Sequence, residues 1–148
     1  MAYTKLIYHI VFRTHDSVPT IAEQFERELY MYIFGYCRNH DCKLYRVNGM
    51  PDHLHILVEL PPTVCVADFV HDLKISTGNF MRNNKDKFPR FSAWAKGYCA
   101  LTYSKSDVDT VKQYIIRQKE HHKKVTARDE LAALLRECGI EYNPAYLE

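Results

Sequence analysis

The hydrophobic repeat of this chain switches between a period of two and a spacing of three and four, and the order of those switches narrows the folds open to it. Leu6, Tyr8, Ile10 and Phe12 alternate with Ile7, His9, Val11 and Arg13, a β-branched and aromatic pattern that predicts a strand from Lys5 to Arg13 with both faces covered. From Thr20 to about Asn39, residues Phe25, Leu29, Tyr32, Ile33 and Tyr36 recur at helical spacing. Cys42 to Val47 reads as a second strand and Asp52 to Leu60 as a third. Asn48-Gly49 predicts the turn between them, because both residues tolerate positive φ, and Pro61-Pro62 ends the pair.

Val66 to about Asn83 carries Phe69, Val70, Leu73, Thr77 and Phe80 on one helical face, and Ala93 to Tyr103 predicts a fourth strand. Ser106 is read as the N-cap of a helix running to Lys124, and Ala127 to Cys138 as a last helix ended by Gly139. Strand, helix, strand, strand, helix, strand, then helices is the order of an α+β, ferredoxin-like (split βαβ) domain. Its antiparallel sheet has helices on one face, with C-terminal helices added. The 148 residues, 47% of them apolar or aromatic, suffice for one core, and residues 1–148 are read as a single domain. Such a fold serves RNA binders, metal chaperones and nucleases alike, so function has to be argued from particular side chains.

Bulk charge argues for no partner: twenty Lys and Arg against eighteen Asp and Glu leave a net +2. The five cysteines include no C-x-x-C pair, and the first residues lack a basic leader with a cleavage site, so a reduced, cytoplasmic protein is expected. No apolar run approaches the roughly 18–20 residues that a membrane span needs. Cys37-x-x-His40-x-Cys42 superficially resembles a zinc cluster but is read as ordinary thiols.

Two constellations carry chemistry. In His53-Leu54-His55 the period of two puts both imidazoles on one strand face, where they are metal-capable; taken alone, such a pair is more often two ordinary surface or core-edge histidines. Tyr114 and Gln118, four apart, stand one above the other on a helix, although a core tyrosine beside a solvated glutamine has the same spacing. Together they gain meaning. Two imidazoles and an amide oxygen form an open divalent-metal site, and the phenol supplies a nucleophile suited to phosphodiester cleavage. No carboxylate base stands near Tyr114 in sequence, and the phenol's ordinary pKa is about 10, so its deprotonation is unaccounted for.

These residues also resemble the single-tyrosine HUH transposases of bacterial insertion sequences, REP-associated relatives included. The resemblance runs through Tyr8 to Thr14, Val47 to Val58, Trp94 to Ala100 and Tyr114 to His122. It implies that His53 and His55 bind a divalent metal, Mg²⁺ or Mn²⁺, with Gln118 completing the site. Tyr114 would attack single-stranded DNA at hairpin ends, giving a 5′-phosphotyrosine and a free 3′-hydroxyl without ATP. It further implies a homodimer in which the tyrosine helix of one subunit can serve the histidine pair of the other. His121 is an alternative ligand or a DNA contact, and no firm role attaches to Glu120 or His122.

Local charge suits such a substrate. Seven basic against three acidic residues lie between Lys105 and Arg128, and six against two between His71 and Tyr98. Lys74, Arg82, Lys96, Arg117, Lys119, His121 and Lys123 are candidate DNA contacts, and exposed Phe88 or Phe91 would stack bases, whereas Trp94 is read as core. The acidic C-terminal portion, with Asp129, Glu130, Glu137, Glu141 and Glu148, is expected to cover the core or a partner subunit through Leu131, Leu134, Leu135 and Tyr142, and no functional reading attaches to it. The rival readings are a non-catalytic single-stranded nucleic-acid binder on the same fold and a zinc-binding structural dimer. Neither needs Tyr114.

Overall fold

The computed structural model describes residues 2–146, so Glu148 lies outside the described residues. Four strands, β1 (Leu6–Arg13), β2 (Lys43–Met50), β3 (His53–Leu60) and β4 (Cys99–Tyr103), form one antiparallel sheet in the order β2-β3-β1-β4. Helices α1 (Glu26–Asn39) and α2 (Val66–Arg82) make the two crossovers, as the split βαβ order requires. They cover one face through Leu29, Ile33, Phe69 and Leu73, packed on Ile10, Phe12, Leu54 and Ile56 of the central strands.

Three further helices, α3 (Val108–Ile116), α4 (Gln118–His121) and α5 (Ala127–Glu137), lie on the opposite face. Val108, Val111 and Ile115 of α3 pack on Ile7 and Leu57, and Leu134 and Leu135 of α5 pack on Val11, Cys99 and Leu101. Because β1 and β3 are central and helices cover both faces, they read as nearly continuous apolar runs. The three histidines in those runs, His9, His53 and His55, are buried between the sheet and α3–α5.

Several sequence expectations need correcting. Asn48-Gly49 is not the hairpin turn but the end of β2, with Asn48 opposite His55, Gly49 opposite Leu54 and Met50 opposite His53; Pro51 and Asp52 turn the chain. Glycine is needed at 49 for closeness rather than for positive φ, since a Cβ there would sit 2.2 Å from the carbonyl oxygen of His53. The first helix starts at Glu26 rather than Thr20. The fourth strand is only Cys99–Tyr103, and the residues before it form a loop bridged to Thr14 at Trp94.

Ser106 does not cap a helix. It lies in a 3-10 turn with its hydroxyl on that of Ser104, and the helix expected to reach Lys124 breaks at Arg117. Trp94 is core, its indole N–H donating to Thr77 Oγ1 at 2.9 Å, but Phe88 is core as well and is unavailable to a base. No helix among the described residues is long and apolar enough to cross a membrane.

Candidate active site

The strand period of two puts His53 and His55 on the same face of β3, and both imidazoles are anchored from behind. Nδ1 of His53 donates to Asp52 Oδ1 at 2.7 Å, and Nδ1 of His55 shares a 2.8 Å hydrogen bond with Nε2 of His9 on β1. Holding one ring nitrogen in this way fixes the direction of the other. Both Nε2 atoms point into one space, where Nε2 of His53 is buried without a hydrogen-bond partner.

Glu130, only 4% exposed, enters that space from α5. Its Oε1 lies 2.9 Å from Nε2 of His55, 3.1 Å from Nε2 of His122 and 3.6 Å from Nε2 of His53. One donor atom from each of these four residues lies within 4.8 Å of the others, a spacing that suits a metal ion. Its other oxygen, Oε2, accepts hydrogen bonds from the Tyr114 hydroxyl and from Nε2 of Gln118, the latter at 3.0 Å. Nε2 of His121 is also 3.0 Å from Oε2, but it is misaligned and makes no hydrogen bond.

The helix break brings Tyr114 and Gln118 here. Asn48 Nδ2 donates to the carbonyls of Ile115 and Ile116 at 3.0 and 3.2 Å, terminating α3 against β2, and Arg117 then leaves helical geometry. Gln118 is fully buried, its Oε1 3.0 Å from Nε2 of His122. The Tyr114 ring stands 5.8 Å from that of His55 and 6.1 Å from that of His9. Tyrosine and histidine pair thus both reach Glu130 within one chain.

Burial alone would drive each of these groups neutral, and their neighbours decide which stays charged. Burial and the neighbouring Glu130 carboxylate push the Tyr114 phenol well above its ordinary value. Burial opposes the charge on Glu130, but hydrogen bonds from His122, His53 and His55 outweigh it and hold the carboxyl far below its usual range. For His53 the carboxylates of Asp52 and Glu130 overcome burial and raise it to about 9. His9, buried and beside His55, is lowered to about 3.

Two cavities converge on the cluster. One, of about 490 Å³, runs past Arg13, Ser17, His53, Lys96 and Glu130. The other, of about 430 Å³, is lined by His9, Thr110, Tyr114, His121 and Glu130. The expected DNA contacts are not gathered together. Lys74 donates to the carbonyls of Ala95 and Gly97, Arg82 to that of Ser92, and Lys119 to Gly49 and Asn48 while pairing with Glu26, so all three hold the protein's own loops. Lys96, Arg117 and Lys123 are exposed, and Lys123 pairs with Glu120.

Sequence reasoning missed His9, His122 and, above all, Glu130. Its signal was present: Glu130 lies one turn before Leu134, a charge within an apolar helical stripe.

A ferredoxin-like sheet with a buried histidine–carboxylate cluster beside a tyrosine is the class of domain that fold and site define. The chain belongs to the family described as "Transposase IS200 like", whose profile matches residues 2–118. The family is one of transposases. It is 32% identical over 75 residues to the ISDra2 transposase TnpA of Deinococcus radiodurans, a match that spans 48% of this chain and about half (54%) of that protein. It is 25% identical over 120 residues to the transposase for insertion sequence element IS200 of Salmonella typhimurium, spanning 78% of each.

Among solved structures, a Deinococcus radiodurans protein assigned as a transposase superposes with a TM-score of 0.63 at 26% identity, over 79% of this chain and 93% of that one. A REP-associated tyrosine transposase bound to a REP hairpin gives 0.61 at 13% identity, over 84% and 73%, a likeness of fold. His53, His55, Tyr114 and Gln118 fall inside the family-matched residues, whereas His121, His122 and Glu130 lie beyond them.

Proposed function

We propose that this transposase cuts and rejoins single-stranded DNA at hairpin ends, with Tyr114 as the nucleophile. The observation that carries the reading is the hydrogen bond from the Tyr114 hydroxyl to a carboxylate that also faces the paired histidines of the same chain. As the phenolic oxygen bonds to phosphorus, the bond from phosphorus to the 3′-oxygen breaks. The phenol's proton passes to Glu130 and from there to the departing oxygen, which leaves as a 3′-hydroxyl. The product is a 5′-phosphotyrosine, reversible by attack of another 3′-hydroxyl.

Glu130 thus supplies the base that the sequence did not disclose. His53 and His55 are the residues to hold a divalent metal, Mg²⁺ or Mn²⁺, with the amide oxygen of Gln118 as the third donor that the resemblance implies. The partnerless Nε2 of His53 fits such an ion. When bound, it would polarise the scissile phosphate and offset the charge that develops there.

The cleft beside His53 and Lys96 is the route for the DNA strand, and the exposed Arg117 and Lys123 contact phosphates. The protein works as a homodimer with each Tyr114 serving its own histidine pair. The test is a denaturant-resistant protein–DNA adduct formed with Mn²⁺ and single-stranded hairpin DNA. Wild type forms it and Tyr114→Phe does not, while both bind the DNA. Equal behaviour of the two proteins would overturn the nucleophile, and binding without any adduct would favour the non-catalytic reading.

A further inference from the structure

The reading above places a divalent ion at His53 and His55 but leaves its remaining protein donors to Gln118. The geometry points to a different set: we infer that His122 and Glu130 are ligands of the same ion, so that the centre is three imidazoles and one carboxylate, completed by residues beyond the family-matched segment. The inference rests on the metal being held at the histidine pair, as proposed, and adds who else holds it.

Oε1 of Glu130 is 2.9, 3.1 and 3.6 Å from the Nε2 atoms of His55, His122 and His53. Donors about 2.1 Å from a common first-row ion stand roughly 3.0–3.4 Å apart in octahedral or tetrahedral arrangements, a range that the separations of 2.9–3.6 Å bracket. Nε2 of His53 is buried and unpartnered, which is costly unless something binds there. Asp52 and His9 grip the far nitrogens of the strand pair, the outer-shell arrangement that metal-binding histidines adopt.

Gln118 is arranged as a positioning residue. Its amide nitrogen donates to Oε2 of Glu130 at 3.0 Å and so orients that ligand, while its amide oxygen, 3.0 Å from Nε2 of His122, faces the same centre. With Oε1 on the ion, Oε2 still accepts the Tyr114 hydroxyl, and one carboxylate couples the metal to the nucleophile. Three imidazoles favour Mn²⁺, Co²⁺ or Zn²⁺ over Mg²⁺.

The experiment uses the full-length protein and the metal alone. Co²⁺ binding is measured by calorimetry and visible absorption for wild type, Glu130→Gln, His122→Gln, Gln118→Ala and His53→Ala, each checked for folding by circular dichroism. X-ray absorption of Zn²⁺-loaded wild type counts imidazoles without any variant. Three imidazoles, together with affinity losses of roughly tenfold or more in both Glu130→Gln and His122→Gln, are expected. Two imidazoles, with both of those variants binding as wild type while His53→Ala and Gln118→Ala lose the ion, would overturn this donor set and leave the proposed function standing. Binding of Co²⁺ by His53→Ala as tight as wild type would overturn this inference and the metal assignment together, while the adduct assay would still test Tyr114.

Discussion

Tyr114 and Gln118 meet on a single atom, since both donate hydrogen bonds to Oε2 of Glu130. A residue on the far side of a helix break thus shares its acceptor with the proposed nucleophile. At saturating Mn²⁺, Glu130→Gln is expected to slow adduct formation on the order of 100-fold, the lower range for removing a general base, with DNA affinity unchanged. Single-turnover adduct rates measure this, and a rate within twofold of wild type would remove Glu130 from the proton transfer.

Asn48 holds the end of α3 through two carbonyls and in turn accepts from Lys119 at 3.2 Å. Asn48→Ala leaves buried carbonyls unpaired and is expected to cost about 1–3 kcal/mol in urea denaturation. The adduct rate falls with it, because the turn that aims Tyr114 loses its clamp.

Gly49 has no room for a side chain, its virtual Cβ meeting the His53 backbone at 2.2 Å. Gly49→Ala must push the hairpin apart, with an expected loss of about 1–3 kcal/mol. The displaced strand carries His53, so Co²⁺ affinity drops as well. Unchanged melting and metal binding would show the hairpin able to yield.

The basic residues divide into two kinds. Lys119, tied to Glu26 at 2.8 Å and to β2, supports the fold, so Lys119→Ala lowers the melting temperature. Lys96→Ala and Arg117→Ala leave melting unchanged and weaken DNA binding. Each lowers the slope of log affinity against log salt by about 0.7, the contribution of one single-strand phosphate contact.

Far from the site, burial would raise the Glu59 carboxyl, but hydrogen bonds from Tyr45, at 2.8 Å, and Lys5 prevail and hold it below its ordinary value. A depressed folded-state pKa adds stability that is present above the unfolded carboxylate value, about 4.3, and is lost as pH falls through the folded one. Urea midpoints should therefore fall less steeply below that pH in Glu59→Gln than in wild type.

The fold was legible because its elements differ in repeat: the strand period from Leu6 and the helical spacing from Val66 each survive in the structure with shifts of a residue or so at the ends. Its errors arose where tertiary contacts overrode local rules. Asn48-Gly49 has turn chemistry, yet the side chain of Asn48 is needed on α3 and Gly49 is needed for clearance, so the turn moved on to Pro51 and Asp52. The helix through Tyr114 looked continuous because nothing in its local sequence announces that Asn48, 67 residues earlier in the chain, takes the carbonyl of Ile115. Within the site, residues adjacent in a short motif were readable, whereas Glu130, 75 residues from His55, reaches it only through folding.

Glu130 belongs to the last long helix, and this has a bearing on how the protein is made. A domain folds as a unit, so its site cannot form before every residue that builds it has been synthesised. The histidine pair and the tyrosine helix precede α5 in the chain and, until it is made, lack the carboxylate on which they converge. The centre proposed to cut DNA is thus complete only once α5, which follows every strand of the sheet in sequence, has been made.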